Sequence, residues 1–150
     1  AEDLAEIAIS TGHTAAKLLT DPVKVALLSF STKGSAAHDD VTKVTEALDI
    51  VRERAPDLAV DGELQVDAAL VPSVAARKVK DDAGVAGDAN VLVFPDLNSG
   101  NIGYKLVQYM GNADAIGPFF QGFDKPVCDL SRGCSVDDVM SAAVILMSTA

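Results

Sequence analysis

The chain has 150 residues and a mass of 15.5 kDa, with a formal net charge of -10 and a pI of about 4.4. That length suffices for a domain with a real core. The clustered basic residues that displace phosphate counterions are missing, and no stretch approaches the ~18 uninterrupted apolar residues of a membrane span, so neither nucleic acid nor membrane is an expected partner.

The first residue is Ala1, no charged-then-apolar leader opens the chain, and the chain starts inside a helical pattern. It reads as a cytoplasmic protein and as a piece of something longer. Leu4, Ile7, Ala8, Ala15, Leu18 and Leu19 fit one helical face, and Asp21-Pro22 breaks it. "VKVALLSFS" (residues 23–31) reads as a buried strand and "TKGSAAHDD" (32–40) as a loop. Val41, Val44, Leu48 and Val51 recur at helical spacing behind a cap supplied by Asp39 or Asp40, and Pro56 closes that helix. "LAVDGEL" (58–64) reads as a short strand and turn, and residues 65–80 as weaker helix interrupted at Pro72. "DDAGVAGDA" (81–89) has the composition of a mobile surface loop.

"NVLVFPD" (90–96) is a second buried strand, followed by "LNSGN" and a helix carrying Ile102, Leu106, Val107 and Met110. "AIGPFFQGF" (115–123) and "PVCDL" (126–130) are further strand candidates, and Val136, Val139, Ala143 and Leu146 form a last helical face. Apolar strands alternating with helices predict an α/β fold, a layered αβα arrangement around a mainly parallel sheet. Cys128 and Cys134 offer no zinc spacing and no disulfide framework, and His13 and His38 are isolated surface or capping residues. No metal site is expected.

In open α/β sheets, ligands sit beyond the carboxyl ends of the strands. Three loops rich in Gly, Ser or Asn leave strands there: residues 31–35, 96–101 and 131–135. The first lacks the glycine spacing of a nucleotide phosphate loop, and its Lys33 is a solvated lysine or an anion contact. In the second, Asn98 or Ser99 is the expected helix cap, and Gly100 permits close approach of a ligand to the backbone. In the third, "DLSRGCSVDD" (129–138), Ser135 and Asp138 satisfy a capping box. Arg132 has no such structural explanation. Its planar fork of donors suits phosphate or carbonyl oxygen.

"VALLSFSTKGS", "DGELQVDAA", "GDANVLVFPDLNSGNIGYKLVQ" and "GPFFQGFDKPVCDLSRGCSVDD", in that order, resemble the C-terminal half of the phosphate acetyltransferase (phosphotransacetylase) family. The resemblance runs from about Leu4 to the end. It implies transfer of acetyl between acetyl phosphate and coenzyme A, with release of phosphate. Coenzyme A enters as a substrate, and no cofactor is permanently bound. The implied fold is similar to that of isocitrate and isopropylmalate dehydrogenases, in a two-domain homodimer. Residues to about 116 resemble most of the second domain, and residues from about 117 resemble the segment returning to an absent first domain.

Carried over by position, Asp138 matches the aspartate that takes the thiol proton. Arg132 matches an arginine on the phosphate or carbonyl oxygen. Ser131 matches a serine that stabilises developing charge. Asn98, Ser99, Gly100, Asn101 and Gly133 are the substrate-binding candidates. Cys128 stands where the family commonly has Asn, and reads as a packing residue. The absent half carries further phosphate-binding residues, so the chain is expected to be an incomplete catalytic unit. Alternatives are a phosphate butyryltransferase, a non-catalytic acetyl-CoA-sensing module as in malic enzyme fusions, and a plain small-molecule or phosphate-binding domain.

Overall fold

A computed structural model describes residues 1–80 and 83–149. Its elements are α1 (Glu2–Leu18), β1 (Val25–Leu28), α2 (Asp39–Arg54), β2 (Val60–Leu64), α3 (Val66–Leu70), α4 (Pro72–Lys78), β3 (Val91–Val93), α5 (Leu97–Met110), β4 (Phe119–Phe120), β5 (Val127–Cys128) and α6 (Val136–Thr149). Two compact units result, residues 1–100 and 101–150.

The first unit is α/β. Its three strands are parallel in the order β2-β1-β3, and every residue of the central strand is buried. Val25 and Leu27 of β1 pack with Leu4, Ala5 and Ala8 of α1 and Val44, Leu48 and Val51 of α2. The alternate residues, Ala26 and Leu28, pack with Ala68 and Ala69 of α3 and Ala75 of α4. Period-two alternation of the strand thus feeds two apolar layers, and helices cover both faces.

Strand β2 carries one extra residue. Val25 pairs with Val60 and Leu28 with Leu64, so four steps on β2 match three on β1. The bulge reverses the alternation. Val60 joins the α1/α2 layer, whereas Leu64 joins the α3/α4 layer.

Several local expectations need correcting. In α1 the buried side is Leu4, Ala5, Ala8 and Gly12, and Ile7, Leu18 and Leu19 are exposed. Gly12 replaces a larger residue on that side because a Cβ there would lie 2.7 Å from Leu58 Cδ1. Neither Asp39 nor Asp40 caps α2. His38 does, its Nδ1 accepting from Asp40 N–H at 3.1 Å. The strands expected near residues 115–130 shrink to two residues each and form an antiparallel pair of their own.

Asp81 and Asp82 lie outside the described residues, but the rest of the segment expected as a mobile loop is packed. Val85, Ala86 and Ala89 are buried against the α3/α4 layer, and the N–H groups of Gly87 and Ala89 donate to the carbonyls of Ala68 and Ala69. Small residues here serve close approach. Gly87 has φ +80°, and a Cβ on it would stand 2.8 Å from Pro72 Cα and 2.9 Å from Ala75 Cβ. Gly87→Ala is therefore expected to destabilise the chain by roughly 1–3 kcal/mol, from backbone strain plus overpacking. Gly84→Ala meets no atom within 4 Å at a similar φ of +79° and should cost less. Thermal melts of the two variants check the difference.

Candidate active site

The carboxyl ends of β1 and β3 mark a switch point. From β1 the chain crosses to β2 on one side, while its other neighbour, β3, is reached only after β2. Loops at such a point flank the crevice where α/β sheets bind ligands. Here they are residues 29–38 after β1 and residues 94–96 after β3, the latter running directly into the first turn of α5.

The β1 loop is fastened by polar side chains of β2. Lys33, expected to be solvated or free for an anion, is instead paired with the fully buried Asp61 and also donates to the Gly62 carbonyl at 2.7 Å. Arg52 joins the same Asp61 oxygen at 3.1 Å. The other oxygen, Oδ2, is buried without a hydrogen-bond partner. Glu63, 3% exposed, accepts from Ser31 Oγ and from Gly34 N–H, both at 2.8 Å. None of these roles was read in the sequence. The legible signal was weak: alternate polar residues, Asp61, Glu63 and Gln65, across an otherwise apolar strand.

At the start of α5 the cap is Asp96, not Asn98 or Ser99. Asp96 Oδ1 accepts from Ser99 N–H, and Ser99 Oγ donates to the Asp96 carbonyl, each at 2.9 Å. The D-x-x-S spacing was the available signal. The Ser99 N–H bond, first among its causes, holds the Asp96 carboxyl below the usual carboxylate range. Asn98 and Asn101 are exposed. A Cβ on Gly100 would touch Phe94 Cβ at 3.5 Å, an ordinary contact, and the residue is partly exposed.

In the second unit, residues 131–138 bring together Ser131, Arg132, Gly133 and Asp138. Ser131 Oγ accepts from Gly133 N–H at 3.3 Å, and the Ser131 carbonyl accepts from Cys134 N–H at 3.0 Å. Arg132 tops this turn, exposed and in no ion pair among the described residues. Gly133 has no atom within 4 Å of where a Cβ would sit. The capping box is formed: Ser135 N–H donates to Asp138 Oδ2 at 2.8 Å, and Asp138 N–H donates to Ser135 Oγ at 3.1 Å. The Ser135 N–H, then its hydroxyl, lowers the Asp138 carboxyl below the usual range. Cys128 and Cys134 are free and half-buried.

The family model described as "Phosphate acetyl/butaryl transferase" matches residues 1–147. The chain belongs to that family. It is 54% identical to a phosphate acetyltransferase of Bacillus subtilis over 149 residues, covering 99% of this chain and 46% of the relative. It is 57% identical to one from Clostridium acetobutylicum over 144 residues, covering 96% of this chain and 43% of the relative. A solved phosphotransacetylase from Streptococcus pyogenes superposes with a TM-score of 0.90 at 56% identity, covering 97% of this chain and 44% of the other. A branched-chain phosphotransacylase from Enterococcus faecalis superposes at 0.78 with 26% identity, covering 97% of this chain and 53% of the other. The chain thus spans less than half the length of the curated relatives named. Within the family match lie all three clusters described above: the β1 loop with β2, the start of α5 and the start of α6.

Proposed function

We propose that the chain is the C-terminal portion of a phosphate acetyltransferase and supplies part of its active site. The observation that carries this is the intact turn before α6, with Arg132 exposed and in no ion pair among the described residues, beside an ordered Ser131 and Asp138, in a chain more than half identical to relatives named phosphate acetyltransferase. The thiol of coenzyme A gives its proton to the Asp138 carboxylate as sulfur attacks the carbonyl carbon of acetyl phosphate. The bond between that carbon and the phosphate oxygen then breaks, and orthophosphate leaves. Arg132 and Ser131 donate to the oxygen that gains charge in the tetrahedral state. Asn98, Ser99, Gly100, Asn101 and Gly133 are the residues assigned to the phosphate-bearing substrates.

The same reading assigns residues up to about 116 to the second domain of the complete protein and the remainder to a segment returning to the first. It also assigns the complete protein to a homodimer in the cytoplasm. Exposed Tyr109 and Met110 on α5, and Met140 and Met147 on α6, support a larger assembly that covers them. Acetyl is preferred over butyryl or branched acyl groups because the acetyl-transferring relatives are about twice as similar as the branched-chain enzyme.

The test is complementation. The chain alone is expected to form little acetyl-CoA from acetyl phosphate. Mixed with, or joined to, the first portion of a relative, it should gain at least about a hundredfold, since a fixed catalytic group and positioned substrates each contribute on that scale. Equal thioester formation without that portion overturns the incomplete-unit reading. Acetyl-CoA binding without turnover in the joined protein points to a sensing module instead.

A further inference from the structure

Five consecutive residues of the β1 loop, 30–34, are tied to three alternate residues, Asp61, Glu63 and Gln65. Gln65 Nε2 donates to the Phe30 carbonyl at 2.8 Å, and Gln65 N–H donates to Thr32 Oγ1 at 2.9 Å. Lys33 pairs with Asp61. Ser31 and Gly34 both donate to Glu63 Oε1, and Ser31 Oγ in turn accepts from Ala36 N–H at 3.1 Å. Glu63 is the centre of this arrangement, and no ion pair to it is formed among the described residues. A buried carboxylate held only by hydrogen bonds depends on every donor. Its two donors belong to the loop itself, so the loop cannot shift without stranding a charge. The loop also needs holding: Lys33 and Gly34 have successive left-handed φ values of +48° and +79°.

We propose that Glu63 is a positioning residue: it fixes the 31–34 loop in one conformation at the β1/β3 switch point and so sets the binding of a phosphate-bearing substrate there. This rests on the acyl-transfer reading. The geometry separates an acceptor role from a packing role, because leucine fills similar space without accepting, whereas glutamine keeps an acceptor oxygen.

In the complemented enzyme, Glu63→Leu is expected to raise KM for coenzyme A or acetyl phosphate roughly tenfold, as a shifted contact does, with kcat changed by less than about threefold. Glu63→Gln should stay within about threefold of the unaltered protein in both. Should Glu63→Leu fail to fold by circular dichroism, Ser31→Ala, which removes one donor and leaves the carboxylate, takes its place with the same expected rise. Unchanged KM in the disrupted variant, or glutamine as damaging as leucine, overturns the proposal. A complemented enzyme inactive before any substitution overturns the acyl-transfer reading and this proposal with it, so the two failures are distinct.

Discussion

Arg132→Gln in the complemented enzyme is expected to lower kcat by about 10³-fold, and Asp138→Asn by about 10²-fold. The ranking follows from the geometry of residues 131–138. Arg132 is exposed and forms no ion pair among the described residues, so its donors are available to an oxygen that gains charge. Asp138 is already engaged by Ser135, which lowers its proton affinity. A thiol holds its proton far more tightly than a carboxylate kept below its usual range, so proton transfer is uphill until sulfur begins to bond. That places Asp138 toward the lower end of what a general base contributes. The sign with pH follows as well. A depressed carboxyl stays charged down through the ordinary range, so the cap is complete above the unfolded-state value and is lost only as pH falls through the lower folded one. The profile of kcat/KM, which reports the free enzyme, should show no acid limb from Asp138 within or above the usual carboxylate range. A limb near neutrality that vanishes in Asp138→Asn would mean that the capping box opens before catalysis. An unchanged rate in that variant, with only the melting point lowered, would leave Asp138 a cap alone.

The largest loss of stability is expected at Leu27→Ala, about 2–5 kcal/mol. Leu27 is fully buried in the central strand, and Gly62 of β2 closes on it so tightly that a Cβ there would lie 2.9 Å from Leu27 Cβ. Backbone on one side and the α1/α2 layer on the other leave little freedom to collapse into the vacated space. With total stabilities of roughly 5–15 kcal/mol for domains, that is a large fraction. The control is Ile7→Ala on the outer side of α1, 52% exposed, which should change stability by no more than about 0.5 kcal/mol. Urea midpoints of the two variants decide it. Similar midpoints would show that the core is not centred on β1.

The periodic elements were legible. Helix α2 buries Val41, Val44, Leu48 and Val51 as its spacing predicts, and the two apolar runs became β1 and β3. The capping box at Ser135 and Asp138 was legible because it is local. Features set by tertiary contact were not. Residues 83–89 have loop composition, yet alanine and glycine there pack because α3 and α4 are themselves made of small residues. Ile7 is exposed because α1 meets its neighbours through small residues, Ala5, Ala8 and Gly12, and no apolar count reveals that. Lys33 looked solvated because its partner, Asp61, lies 28 positions away. The family resemblance named the chemistry, whereas composition alone stopped at an α/β domain.

The extra residue in β2 has a consequence for how the sheet assembles. Apolar pairing alone leaves a short strand several alignments of similar energy. Here a slip of β2 by one position along β1 would remove Asp61 from Lys33 and Arg52, and Glu63 from Ser31 and Gly34, leaving two carboxylates stranded in the interior. Each stranded charge costs several kcal/mol. The two acidic residues of β2 therefore select one strand alignment over its slipped neighbours, and they do so only together with the loop that supplies their donors.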